Sequence, residues 1–240
     1  MSDWLQRTQL LIGDEAIKQL KEKHVLIIGL GGVGSYAAEF LVRAGVGQLT
    51  MVDGDLVDVT NINRQLQATH ETIGKSKAKV LAARFYEINP EVKLHVHDRF
   101  LEPEDMTTLV TAGKFDFIMD CIDSLSPKLG LISLAKRNKL PFISAMGAGG
   151  KLDPSKIKIA DISRTKECKF AKAIKKRLKK VGIRDGVLVV YSEEIQPKNA
   201  LQMTDGNHYK RSFYGTISYM PALFGLFMAS EVIRRLAGLK

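Results

Sequence analysis

Cysteine is nearly absent. The 240-residue chain has two, Cys121 and Cys168, and no CxxC pair. Paired-thiolate zinc clips are therefore excluded, and a reducing, cytoplasmic setting is the simplest reading. Met1-Ser2-Asp3-Trp4 lacks a basic region followed by an apolar core, so no signal peptide is expected. An uninterrupted run of about 20 apolar residues, the length of a membrane span, is also missing. The apolar stretch from Tyr214 to Ile233 is broken by Gly215, Thr216, Ser218, Pro221, Gly225 and Glu231. It reads as a buried helix from about Pro221 to Leu236, with proline in its first turn, and no integral membrane segment is expected. There is no internal repeat, low-complexity tract or long linker. Acidic residues are the minority charge, 26 Asp and Glu against 36 Lys and Arg, net +10. That balance suggests an anionic partner such as nucleic acid or an acidic surface. The apolar content of 45% is ordinary, enough for a sizeable core in one large α/β domain or a domain with an extension.

The chain is organised around Val25 to Gln65. Val25 to Ile28 is an apolar run short enough for a buried strand. The turn Gly29-Leu30-Gly31-Gly32-Val33-Gly34 follows at once, then a helical pattern from Ser35 to Ala44, then a strand, Gln48 to Val52, ending in Asp53. Strand, glycine turn, helix, strand and acid is the arrangement of a nucleotide site. Glycines at 29, 31 and 34 let the backbone turn, approach a phosphate and pack the helix on the strand. The helix N-terminus presents N–H groups and partial positive charge to that phosphate, and Asp53 reaches the ribose hydroxyls. The plainer reading is a glycine-rich turn in a core βα unit. An NAD site continues into plain fold after its acid. Here Asp55, Asn61, Arg64, Gln65 and Lys77 follow, and they include the cations that a triphosphate needs more than a diphosphate does.

Farther along, helices are expected at Lys75–Ile88, Glu102–Ala112 and Ser124–Asn138, and strands at Val92–Val96, Phe115–Met119 and Pro141–Met146. Residues 3 to 20 read as one helix. The fold class is α/β: a Rossmann-like, mostly parallel sheet with helices on both faces. A C-terminal extension adds strands at Lys156–Ile162 and Val187–Tyr191 and the buried helix. His95 and His97 share one face of their strand, as a metal pair or a solvated polar face. Phe115–Met119 ends in Asp120-Cys121-Ile122-Asp123, where open α/β sheets place ligands. A carboxylate there can hold Mg²⁺ on phosphates, or Asp123 can cap the next helix. Asp120 supports the turn, and Cys121 is a buried small residue. Gly147-Ala148-Gly149-Gly150 suggests close backbone approach by the nucleotide or a second substrate.

Arg164 to Arg184 carries ten Lys and Arg residues against one Glu, a local charge of +9. Phe170, Ala173, Ile174, Leu178 and Val181 recur at helical spacing, so one face packs and the rest is cationic. A polyphosphate backbone suits such a stripe. Lys172, Lys175, Lys176, Arg177, Lys179 and Lys180 are the residues expected to hold it. An anionic membrane surface and a merely solvated face are the alternatives.

Gly29-x-Gly-Gly-x-Gly34, Asp53-x-Asp55, Asn61-x-x-Arg64-Gln65, Gly74-x-x-Lys77 and Asp120-Cys121-x-Asp123 occur in one order and cover roughly the first 150 residues. In this the chain resembles the E1-like adenylating enzymes. The resemblance implies one domain over 1–240. Residues 1–150 form a nucleotide-binding half, and 151–240 a substrate and dimer half with the basic helix at 166–181. It implies ATP held by Gly29, Gly31, Gly32, Gly34, Asp53, Asp55, Asn61, Arg64, Gln65 and Lys77, with Gln65 the weaker candidate. It implies Mg²⁺ on Asp123, and catalysis by Arg64, Lys77 and Asp123. In a homodimer, Arg7 would reach the partner's ATP; otherwise it is a surface arginine.

Without zinc-ligating cysteine pairs, and with no room for the added domains of ubiquitin-activating enzymes, the compact basic chain most resembles the tRNA threonylcarbamoyladenosine dehydratases. Ala160-Asp161-Ile162-Ser163-Arg164-Thr165 and Lys175-Lys176-Arg177-Leu178 add to that likeness. The partner implied is tRNA carrying threonylcarbamoyladenosine beside the anticodon. Adenylation of a ubiquitin-like or sulfur-carrier protein C-terminus, with Cys168 as a conceivable acyl acceptor, is the alternative; a sulfur-relay-type protein partner stays open. A non-catalytic or NAD-binding Rossmann protein would have no use for Arg64, Lys77 and Asp123 together.

Overall fold

A computed structural model of the chain describes residues 3–203 and 212–239. Met1 and Ser2, the start of the segment in which no leader was read, lie outside them. The first half runs α1 (Gln6–Ile12), α2 (Asp14–Glu22), β1 (His24–Ile28), α3 (Gly34–Arg43), β2 (Gln48–Val52), α4 (Lys77–Ile88), β3 (Lys93–His97), α5 (Pro103–Ala112), β4 (Phe117–Asp120), α6 (Leu125–Arg137) and β5 (Phe142–Ala145). The second adds β6 (Ile157–Asp161), α7 (Lys169–Lys180), β7 (Leu188–Ser192), the short strands β8 (Leu201–Met203) and β9 (Ser212–Tyr214), and α8 (Tyr219–Leu236).

Seven strands form one sheet in the order β3-β2-β1-β4-β5-β7-β6. All neighbours are parallel except β6, which runs antiparallel on the edge. The central strands are apolar without alternation because both sheet faces are covered. Val25 and Ile27 of β1 enter a core with α3, α4 and α8, while Leu26 and Ile28 enter the opposite core with α5, α6 and α7. The strand order reverses between β1 and β4, which opens a crevice at their carboxyl ends.

The expected N-terminal helix is two. Gly13, with φ of 85°, donates its N–H to Gln9 O and ends α1. Asp14 and Glu15 then open α2, where acidic side chains favour the helix dipole. The two histidines of β3 belong to no group of three or more potential metal ligands, and no such group occurs among the described residues. The His95 ring instead lies 5.3 Å from that of His24.

Helix α8 is buried as expected, through Met220, Phe224, Met228 and Val232, and no described helix is long and apolar enough to cross a membrane. It lies tight on α3: a Cβ at Gly225 would fall 2.4 Å from Val33 O. In α7 the packed face is Ala171, Ile174 and Leu178. Val181, expected on that face, lies past the helix end and is 53% exposed.

Candidate functional site

The glycine turn follows β1 into the crevice. Gly29 has φ of +91°, and a Cβ there would meet Cys121 O at 2.8 Å, so only glycine turns the chain here without strain. A Cβ at Gly34 would overlap Gly29 O, which is why α3 can start so close to the strand. Gly32 lies under α8 and the Arg64 carbonyl, 2.9 Å from Pro221 Cβ and 3.1 Å from Arg64 O by the same measure. Gly31 alone of these is open, with only Gln65 Nε2 within 4 Å of a Cβ. That leaves a backbone surface at the start of α3 where a phosphate can approach.

Asp53 closes the other side. Its Oδ2 accepts from Leu30 N at 2.6 Å and its Oδ1 from Asp55 N at 2.8 Å. The acid thereby ties the glycine turn to the end of β2, with lone pairs left for ribose hydroxyls. Burial pushes its pKa up, and the Lys77 charge and these two N–H groups oppose the rise. Lys77, 4% exposed in the first turn of α4, donates to Asp55 Oδ2 at 2.7 Å.

Arg64 is held by its own loop. Its Nη1 donates to Thr60 O and Asn63 Oδ1, both at 2.8 Å. Burial lowers its pKa and the nearby Asp123 carboxylate opposes that, so the two strand-end loops face each other with opposite charges. Asn61 is buried, and its Oδ1 accepts from Asp58 N at 3.1 Å, so that oxygen braces the loop. Gln65 Oε1 accepts from Gln67 Nε2 at 3.3 Å. Gln67, which no sequence pattern marked, also donates to Leu30 O at 2.7 Å beneath the turn.

Asp123 is exposed at the crevice. Ser124, not Asp123, is the N-cap of α6, so the capping alternative falls away. A single carboxylate at a strand end is a donor of the kind that Mg²⁺ uses, since that ion takes one or two carboxylates and completes its shell with phosphate and water oxygens. Cys121 is partly buried, its Sγ 3.9 Å from Met228 Sδ. Burial, with the Asp120 charge, pushes its thiol up to about 12, which suits packing and not nucleophilic work.

The glycines at 147–150 are indeed approached closely, but by the chain itself. A Cβ at Gly149 or Gly150 would meet Tyr214 at 3.0 Å, and Gln196 Nε2 donates to Gly149 O at 2.7 Å. Gly150 N donates to Gly215 O, and Asn63 Nδ2 to Thr216 O at 2.9 Å. The segments flanking β8 and β9 thus strap the Arg64 loop to the glycine loop. That contact joins residues far apart in sequence and leaves no local signal.

Lys172, Lys176, Arg177, Lys179 and Lys180 stand exposed on α7. Lys175 does not join them freely: its Nζ donates to Ser163 O at 3.3 Å and Thr165 O at 3.2 Å. Cys168 is buried as the N-cap of α7 and accepts from Ala171 N at 3.5 Å. Arg7 is not brought to this crevice. It is exposed on α1 beside Leu10 and Leu11, which are 83% and 84% exposed. The preceding Leu5 packs on Gly45, at the amino end of β2 and away from the glycine turn.

A family model described as the ThiF family matches residues 5–240. The tRNA threonylcarbamoyladenosine dehydratase of Bacillus subtilis (strain 168) is 36% identical over 234 residues, covering 95% of this chain and 92% of that protein. The Escherichia coli (strain K12) protein of the same name is 40% identical over 179 residues, 73% of this chain and 66% of that one. The crystal structure of the E. coli tRNA N6-threonylcarbamoyladenosine dehydratase in complex with ATP is similar, with a TM-score of 0.87 at 34% identity, covering 99% of this chain and 96% of that chain.

Proposed function

The chain belongs to the ThiF family, and on that premise we propose that it is an ATP-dependent tRNA threonylcarbamoyladenosine dehydratase. The observation that carries the chemistry is the gathering of an open glycine turn, Asp53, Lys77, Arg64 and Asp123 around the ends of β1, β2 and β4. A ribose acid, two cations and a second carboxylate in one crevice match a nucleoside triphosphate.

The free carboxylate of the modified adenosine attacks the α-phosphate of ATP. Pyrophosphate leaves and an acyl-adenylate forms. The carbamoyl group then closes on the activated carbonyl and expels AMP, for a net loss of water from the nucleoside. A carboxylate oxygen is a poor leaving group, and AMP replaces it. The protein's work is positioning and electrostatics. The start of α3 and Gly31 receive phosphate oxygens, and Asp53 orients the ribose. Arg64 and Lys77 take up charge developing on the phosphates, with Lys77 exchanging Asp55 for the nucleotide. Asp123 would hold Mg²⁺, which when bound would supply charge neutralisation at the phosphates. The outward lysines and Arg177 of α7 hold the tRNA backbone. The enzyme is a homodimer through the apolar outer face of α1, which brings Arg7 to the partner's nucleotide. It works in the cytoplasm.

The test is pyrophosphate release from ATP and Mg²⁺, with and without tRNA bearing threonylcarbamoyladenosine, alongside mass spectrometry of the digested nucleosides. Release that depends on this tRNA, with loss of one water from the nucleoside, is the expected result. Exchange that responds to a small ubiquitin-like protein and not to RNA would overturn the substrate and leave the adenylating site standing.

A further inference from the structure

Beneath the Cys121–Asp123 turn lies a polar cluster that the chemistry above does not use. Asp120, Lys128 and Ser144 are all fully buried. Lys128 Nζ, on α6, donates to Asp120 Oδ2 at 2.7 Å and to Ser144 Oγ at 3.1 Å. Ser144 Oγ donates to the same carboxylate oxygen at 2.6 Å. Ser144 lies opposite Asp120 in the β4–β5 register. The cluster therefore joins β4, β5 and α6 at the level where the strands enter the crevice. Asp120 Oδ1 faces the other way and accepts from Ile122 N at 3.1 Å, the amide immediately before Asp123.

A buried ion pair is a poor device for stability alone. Desolvating both charges offsets their attraction, and apolar replacements of similar volume are often as stable or more so. What this pair does supply is direction. With Oδ2 held by Lys128 and Ser144, Oδ1 is fixed toward Ile122 N, and the turn has one path into the crevice. The same turn is the wall against which the glycine turn at 29–34 is built. Cys121 N donates to Ile28 O at 2.9 Å, and Cys121 O is the atom a Cβ at Gly29 would strike.

We infer that Lys128, with Asp120 and Ser144, is a positioning residue that sets Asp123 opposite Arg64 for the metal-bound triphosphate. This rests on the proposed metal role of Asp123. It assigns Lys128 no contact with substrate.

The test replaces the pair by apolar residues, Asp120→Leu with Lys128→Met. Asp120→Ala with Lys128→Met asks the same question should the leucine not fit beside Ser144. A rescue variant, Asp120→Asn with Lys128→Met, keeps an oxygen for Ile122 N without the charges. Calorimetric titration with ATP, with and without Mg²⁺, is the readout, beside a thermal melt. The wild-type gain in ATP affinity on adding Mg²⁺ is expected to fall at least fivefold in the folded apolar variant. Metal-free ATP affinity should stay within about twofold, and the amide variant should recover most of the gain. A folded apolar variant with the full Mg²⁺ gain overturns the inference, and so does a folded amide variant that lacks it. Asp123→Asn in the same titration separates the two readings. If it keeps the gain, the metal role itself is wrong. If it loses the gain and the apolar pair does not, only the positioning role is wrong.

Discussion

Replacing Lys77 with methionine separates what its ammonium does for the fold from what it does for ATP. The side chain is 6% exposed and its partner Asp55 is 50% exposed. Methionine fills nearly the same volume in the first turn of α4; the Asp55 carboxylate left behind faces water, and Asp53, which loses the opposing Lys77 charge, keeps its N–H donors from Leu30 and Asp55. A pair with one solvated partner is worth at most about 1 kcal/mol. In a domain of this size that corresponds to a fall in Tm of roughly 2–4 °C. The cost in the reaction is larger. One preorganised donor aimed at developing phosphate charge is worth about 3–4 kcal/mol, a loss of roughly 100- to 1,000-fold in kcat/KM. Pyrophosphate release at low ATP and a thermal melt of the same preparation measure both. Asp55→Asn, which keeps the ammonium, should lose far less activity. A Lys77→Met variant that keeps kcat/KM within about tenfold would refute the phosphate role of the ammonium. A melt lowered by more than about 8 °C would refute it equally, since the ammonium would then be a structural strut.

Further outcomes follow from the geometry. Arg7→Ala and Lys77→Met should each be nearly inactive alone, yet subunit exchange between them should restore about a quarter of the sites if Arg7 acts in trans; no recovery in exchanged dimers would refute action in trans, and an active Arg7→Ala would place Arg7 outside catalysis. Lys176→Ala should weaken tRNA binding and lower the slope of log affinity against log salt by about 1. Lys175→Ala, whose ammonium is tied to Ser163 and Thr165, should change that slope less, and equal slopes would refute the assignment of outward charges. The pH dependence of stability should show His24. Burial and the neighbouring His95 hold its pKa below 6.5, with Asp116 opposing. The unfolded chain then binds a proton that the folded chain refuses, so stability is full above 6.5 and falls as pH drops through that value. His24→Gln, which can still bond Thr50, should lose less Tm between pH 7.5 and 5.5 than wild type, and an equal loss would remove His24 as the cause.

The inner strands were legible because burial on both sheet faces forces continuous apolar runs, and their ends were read within two residues. Asp53 and the glycines were legible because the β1–α3 turn leaves little room for side chains. Gly13 carried a visible signal for the break between α1 and α2, but helical periodicity on either side of it masked the stop. Lys128 was not legible, since a lysine on an amphipathic helix reads as solvated whether or not a carboxylate waits beneath it. The loop at 147–150 shows the limit most clearly. Its composition announced a close approach, but only the fold identifies the visitor as Tyr214.

The packing of α8 on the glycine turn sets an order of events in synthesis. Gly32 lies under Pro221, and Val33 O is within reach of Gly225, so the turn is finished by α8, far later in the sequence. Contacts between such distant residues carry a high loop-closure cost and form late. A ribosome releases the first βαβ unit long before it delivers α8. Until then the nascent chain carries an apolar face on α3 with no cover. Chaperone engagement of the growing chain should therefore end only when α8 emerges, and ATP-binding competence should appear at that same step.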